Sequence, residues 1–202
     1  MRLVTGTSLQ DFDVKNNSLT GKQLPENIGK LYILSGLGLV PINQLTGEIP
    51  FNMYLHGKPK LTGSIPPELG NNDKASLPCF FVFPRELNDN QLTGNIPPEL
   101  GKLTDLYDLN VANNHLEGPI PDNLSSCTNL NSLNVHGNNL NGTIPRALRR
   151  LESMTNLNLS SNNIQGPIPI ELSRISNLDT LDISNNKISG SIPSSLGYWS
   201  IF

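Results

Sequence analysis

Five Gly-x-Ile-Pro tetrapeptides begin at Gly94, Gly118, Gly142, Gly166 and Gly190, each 24 residues after the one before. A fixed period of this length marks stacked supersecondary units, none of which can bury its apolar side without neighbours. Most of the chain is therefore expected to be a solenoid. Such a fold offers one long, repetitive surface, which suits binding better than catalysis.

Within the period, one unit reads Leu106-x-x-Leu109-x-Val111-x-x-Asn114-x-Leu116-x-Gly118-x-Ile120-Pro121-x-x-Leu124. The following units repeat it with Leu130, Leu133, Val135, Asn138 and Leu140, then Met154, Leu157, Leu159, Asn162 and Ile164, then Leu178, Leu181, Ile183, Asn186 and Ile188. This is the leucine-rich repeat pattern. Leu109 and Val111 alternate with polar residues, as in a short strand buried on one face. The expected fold class is an α/β repeat solenoid with a curved parallel β-sheet on its concave face. The convex side should be mostly 3-10 or irregular.

The remaining positions have mechanical roles. Asn114, Asn138, Asn162 and Asn186 fall where the chain leaves the strand. An amide carries donors and an acceptor, so an Asn column can satisfy the backbone groups that the turn exposes. Gly118 and its equivalents permit a left-handed or closely approached backbone. The Pro of each Ile-Pro fixes φ and donates no hydrogen bond, which suits an extended segment after the turn. These roles leave no reason to read the column as catalytic.

The Gly-x-Ile-Pro variant resembles the plant-specific class of extracellular leucine-rich repeats. Residues 86–197, beginning "ELNDNQLTGNIPPELGKLTDLYDLNVANNHLEGPIP", resemble the ectodomain of the ERECTA family of plant receptor kinases. Shorter pieces, "FDVKNNSLTG" at 12–21, "NQLTGEIPF" at 43–51 and "KLTGSIPPELGN" at 60–71, resemble earlier repeats of the same ectodomain. The resemblance implies binding of secreted cysteine-rich peptides of the epidermal patterning factor type. It also implies leucine-rich repeat co-receptors as partners and a place on the extracellular side of the plasma membrane.

The first 85 residues depart from the pattern. Their Gly anchors, Gly21, Gly47 and Gly63, are spaced 26 and 16 residues apart, with 31 more to Gly94. The 16-residue unit is too short for a strand plus a convex return. In the long unit Pro84 and Arg85 disturb a core slot, and Phe80, Phe81 and Phe83 have no place in the repeat. Lys58-Pro59 stands where the Asn turn belongs. We read residues 1–85 as irregular, damaged repeats, 86–197 as regular repeats, and 198–202 as a truncated end without a cap. Joined or read-through coding segments would produce such irregularities; the competing reading is a functional island loop.

Composition narrows the function. Residues 1–85 hold 8 basic and 6 acidic residues against 6 and 11 in residues 86–202, with no basic stripe for nucleic acid. The longest apolar run, residues 31–42, is too short to span a bilayer, and residues 1–10 lack the apolar centre of a signal peptide. Asn-x-Ser/Thr sequons occur at Asn16, Asn123, Asn141 and Asn158, as expected of a secreted surface. These observations together are consistent with an extracellular protein whose N-terminus continues beyond this sequence. Cys79 and Cys127 form no disulfide framework, and Cys127 is expected to be buried on the convex side. No metal-ligand spacing, phosphate loop or kinase catalytic motif occurs, so neither a metal nor a cofactor is expected, and no enzymatic activity.

The binding candidates are polar residues between the core positions of the strands. They are Tyr107, Asp108, Asn110, Asn134, His136, Asn156, Asp179 and Asp182. Tyr107 is the best single anchor because aromatic residues dominate interface energetics. A glycan on Asn158 would obstruct the same face. Three readings stay open: a receptor ectodomain fragment that binds peptides, a stand-alone repeat protein acting as decoy or inhibitor, and the kinase of a larger gene product. A misread, non-functional product stands behind all three.

Overall fold

The computed structural model describes residues 11–13, 20–21, 36–38, 44–47, 60–65, 67–70 and 87–198. Cys79, Phe80, Phe81, Phe83, Pro84, Arg85, His56 and the Lys58-Pro59 pair lie outside them, as does Asn16.

Four short parallel strands, Asp108–Asn110, Ser132–Asn134, Asn156–Asn158 and Thr180–Asp182, form the concave sheet in the order of the chain. Their register follows from the 24-residue period: Leu109 sits opposite Leu133, Leu133 opposite Leu157, and Leu157 opposite Leu181. Backbone bonds carry the ladder past the strand ends. Val111 N–H donates to the Asn134 carbonyl, Val135 to Asn158, and Leu159 to Asp182, at 2.8–2.9 Å. In the other direction the Leu87 N–H reaches the Asn110 carbonyl, which joins the repeat at residues 87–89 to the sheet.

The inward positions of the pattern are mostly buried through Leu178, and Leu181, Ile183 and Ile188 of the last repeat are half-buried. Leu109, Val111, Leu133, Val135, Leu157 and Leu159 form columns beneath the sheet, facing Leu100, Leu124, Leu148 and Leu172 from the opposite wall. Full burial of each such side chain contributes about 1.5–3 kcal/mol, so cohesion is distributed over the repeats and falls off at Leu181, Ile183 and Ile188.

The convex wall is built from 3-10 helices at Pro98–Lys102, Asp122–Ser126, Arg146–Arg150, Ile170–Arg174 and Ser194–Tyr198. The repeat proline starts each of the first four. Pro97, Pro121, Pro145 and Pro169 are extended, with φ between −67° and −64°, and their carbonyls accept the N–H three residues on. That spacing defines the 3-10 turn, which packs more chain length into a short return than an extended strand would. Successive helices stack tightly enough that a Cβ at Gly101 would run into the Asn123 carbonyl.

The sequence reading did not anticipate a second parallel ladder, which flanks the first. Glu117–Pro119 pairs with Asn139–Asn141, and Gln165–Gly166 with Lys187–Ile188. His115, Asn139, Asn163 and Lys187 donate backbone N–H groups to carbonyls of Leu92, Leu116, Leu140 and Ile164 at 2.7–2.8 Å, so the ladder runs the whole regular region. It continues into the irregular half as Thr20–Gly21, Gln44–Gly47, Lys60–Ser64 and Gln91–Thr93. There Gly21 faces Leu45, Gly47 faces Leu61 and Gly63 faces Leu92. Gly118 and Leu140 make the same pairing among the regular repeats. The uneven anchor spacings thus leave this ladder in phase, and the surplus or deficit of chain falls elsewhere in each unit.

Candidate ligand-binding face

The strand residues between the core positions form cross-strand rows, one residue per repeat. Tyr107, Asn131, Thr155 and Asp179 make the first. Asp108, Ser132, Asn156 and Thr180 pair in register as the second. Asn110, Asn134, Asn158 and Asp182 form the third. Ala112, His136, Ser160 and Ser184 lie beyond it. Of the sequence candidates, Asn110, Asn134 and Asp182 therefore share one row, Asp108 and Asn156 another, and Tyr107 and Asp179 a third, with His136 in the fourth.

Tyr107 is half exposed, at 51%, among large hydrophobic residues that are otherwise mostly buried. Its carbonyl accepts from the Asn131 and Ser132 N–H groups, which fixes the backbone below the ring. Asn131 accepts from Thr155 Oγ1 at 3.1 Å and donates to the Ser153 carbonyl at 2.9 Å. His136 Nδ1 lies 2.8 Å from Ser160 Oγ, one repeat away. Two residues of the fourth row, Ala112 and Ser160, are buried. The face is consequently shallower in that row than the alternation implied.

The third row is locally capped. The Asn110 side-chain oxygen accepts the Ala112 N–H at 3.2 Å, and Asn134 and Asn158 repeat the bond with His136 and Ser160 at 3.1 Å. Asp182 takes both the N–H and the hydroxyl of Ser184, at 3.0 and 2.7 Å. The Ser184 bonds hold the Asp182 carboxyl below the usual carboxylate range, with smaller contributions from Ser160 and the His136 charge. An Asn or Asp bonding two residues ahead is a common turn device. Its 24-residue recurrence was visible in the sequence, but these residues were read there only as open strand positions.

Just past this row each chain enters a left-handed residue: Asp89, Asn113, Gly137, Ser161 and Asn185, with φ between 52° and 65°. The Asn column follows directly. Asn114, Asn138, Asn162 and Asn186 each accept a backbone N–H from the preceding repeat at 3.0 Å and donate to carbonyls of two repeats. This is the turn-satisfying role expected of them.

The described sequons lie on three different faces. Asn123 is exposed on a convex 3-10 helix, Asn141 is exposed on the lateral ladder, and Asn158 is on the concave face. Cys127 is buried on the convex side, with its sulfur 3.3 Å from the Leu100 carbonyl, and burial raises its thiol to about 11. The described residues hold no cluster of three or more groups able to ligate a metal ion, and no helix among them is long and apolar enough to cross a membrane.

Leucine-rich repeat family patterns match residues 104–164 and 128–188, and a further one matches 86–103, together just over half of the chain. No curated protein sequence matches it. Among solved structures, the chain is similar to the ectodomain of the Arabidopsis thaliana receptor kinase GASSHO1/SCHENGEN3 in complex with CASPARIAN STRIP INTEGRITY FACTOR 2. Identity is 33% over 95% of this chain and 23% of that one, with a TM-score of 0.79. It is also similar to the Arabidopsis receptor kinase HAESA in complex with the peptide hormone IDA and the co-receptor SERK1. There identity is 26% over 96% of this chain and 40% of that one, TM-score 0.67. A chain of the Arabidopsis thaliana BIR3–SERK2 complex is 34% identical over 62% of this chain and 73% of its own length, TM-score 0.55. The chain thus spans less than half of the two receptor chains. It belongs to the leucine-rich repeat family and has the plant-type ectodomain fold.

Proposed function

We propose that the chain is a ligand-binding portion of a plant receptor-like kinase ectodomain, located on the extracellular side of the plasma membrane. It recognises a secreted peptide on its concave face and engages a leucine-rich repeat co-receptor. The observation that carries this reading is the alignment of Tyr107, Asp108, Asn110, Asn134 and Asp182 on one continuous sheet face. Similarity to peptide-bound receptor ectodomains supports it. The ERECTA resemblance narrows the ligand to a cysteine-rich peptide of the epidermal patterning factor type. Phosphorylation is assigned to no residue of this chain.

Calorimetric titration with a folded, oxidised peptide of that type tests the reading. Saturable binding at micromolar or better affinity is expected, and reducing the peptide's disulfides should weaken it. Binding that is indifferent to reduction would remove the cysteine-rich assignment. Absence of binding to either form would remove that ligand class altogether.

A further inference from the structure

The third concave row has a polarity that alternation alone does not reveal. In Asn110, Asn134 and Asn158 the side-chain oxygen is committed to the backbone N–H two residues on. A backbone N–H can only donate, so the amide orientation is fixed: oxygen inward, nitrogen away. The three Nδ2 groups make no hydrogen bond among the described residues. The next residue of the row, Asp182, holds the same cap with one carboxylate oxygen and keeps its charge.

The row is therefore three donors followed by one anion, at strand spacings of about 4.7–4.9 Å. We infer that it reads an extended peptide by polarity, with acceptor groups of the peptide on the Asn110, Asn134 and Asn158 donors and a cationic group on Asp182. The inference rests on the peptide-binding reading above and adds a charge rule and a direction to it. Peptide carbonyls only accept, as a donor-only column requires. No Lys or Arg occurs in the four concave rows, and His136 is the one basic side chain in them that acts on Asp182. A ligand cation in the Asp182 position gains a charge-assisted bond. Asn158 adds a constraint, because an N-linked glycan is carried on the same Nδ2. Occupancy of that sequon and use of the full column exclude one another.

The test uses the full chain produced without glycosylation and a displayed library of random dodecapeptides. Against the unaltered chain, selection should enrich sequences with Lys or Arg toward one end. Asp182→Asn keeps the cap on Ser184 but replaces the anion with a donor, and should abolish the basic enrichment. Asn134→Asp keeps the cap on His136 but turns the outward donor into an acceptor. It should weaken a selected peptide about tenfold, while Asn134→Ser, which exchanges the amide donor for a shorter hydroxyl and adds no charge, should weaken it less. Basic enrichment that survives Asp182→Asn would overturn the charge rule while leaving peptide binding intact. If no sequence is enriched over a bare support, the row does not read an extended peptide and the inference fails, while the titration with the oxidised cysteine-rich peptide decides the peptide-binding reading separately.

Discussion

The side-chain oxygen of Asn138 accepts the backbone N–H of Leu116 at 3.0 Å. Asn138 also donates to the Val111 and Val135 carbonyls, so one buried amide fastens the concave strands of two repeats to the lateral ladder of the earlier one. Each repeat is held to its neighbour by the same device, with Leu92, Leu140 and Ile164 in the place of Leu116.

Asn138→Ala should therefore destabilise the chain by about 2–4 kcal/mol, because it strands a buried N–H and two carbonyls. Asn163→Ala, at an exposed position one residue past the column, should change stability by less than about 0.5 kcal/mol. Urea unfolding of the two variants compares them directly. Equal effects would show that the column does not join the repeats.

Backbone geometry gives a prediction of opposite sign. Ser161 sits at φ 54°, where the equivalent residue one repeat earlier is Gly137. Ser161→Gly should stabilise by about 0.5–1 kcal/mol, since relief of left-handed strain outweighs the added freedom of the unfolded chain. Gly101→Ala should destabilise by about 1–3 kcal/mol, because the new methyl meets the Asn123 backbone rather than a movable side chain. Thermal melts of both variants would check the pair.

The repeat, its core and the Asn turn were legible in the sequence because each depends on a residue type recurring at a fixed interval. The lateral ladder was not. Its strands are two to five residues long: Glu117–Pro119 contains Gly and Pro, and Asn139–Asn141 carries one buried Leu140 between exposed Asn residues, too short a pattern to mark a strand. The same ladder kept its phase where Gly47 and Gly63 stand 16 residues apart, since pairing constrains only the few residues on either side of each Gly. On the candidate face the polar rows were legible. The inward commitment of the Asn110 and Asn134 oxygens was not, because strand alternation places a side chain without orienting its amide.

Cys127 should be inert in the folded chain. Burial raises its thiol to about 11, so little thiolate exists at pH 8 and access is closed as well. Alkylation at pH 8 should be at least about 100-fold slower in the native state than in urea. Mass spectrometry of the peptide carrying Cys127 reads the rate; fast native labelling would show that the convex wall opens.

Asp182 gives a pH signature. Its folded carboxyl lies below the ordinary value, so the stability it contributes is fully present above the unfolded value of about 3.9. That contribution is lost as pH falls through the lower folded value. The difference in urea midpoint between the unaltered chain and Asp182→Asn should hold from pH 7 to pH 5 and shrink below about pH 4. A difference that instead grew on acidification would reverse the assigned sign.

The concave assignment is tested most directly by measuring the affinity of one cysteine-rich peptide for three forms of the chain: unaltered, Tyr107→Ala and Arg149→Ala. Tyr107 stands half exposed on the concave sheet, and Arg149 is exposed on a convex 3-10 helix. The account expects at least about a tenfold loss from Tyr107→Ala, as for an aromatic interface anchor, and no change from Arg149→Ala. Loss of binding with Arg149→Ala and full affinity with Tyr107→Ala would place the ligand on the opposite face and contradict it.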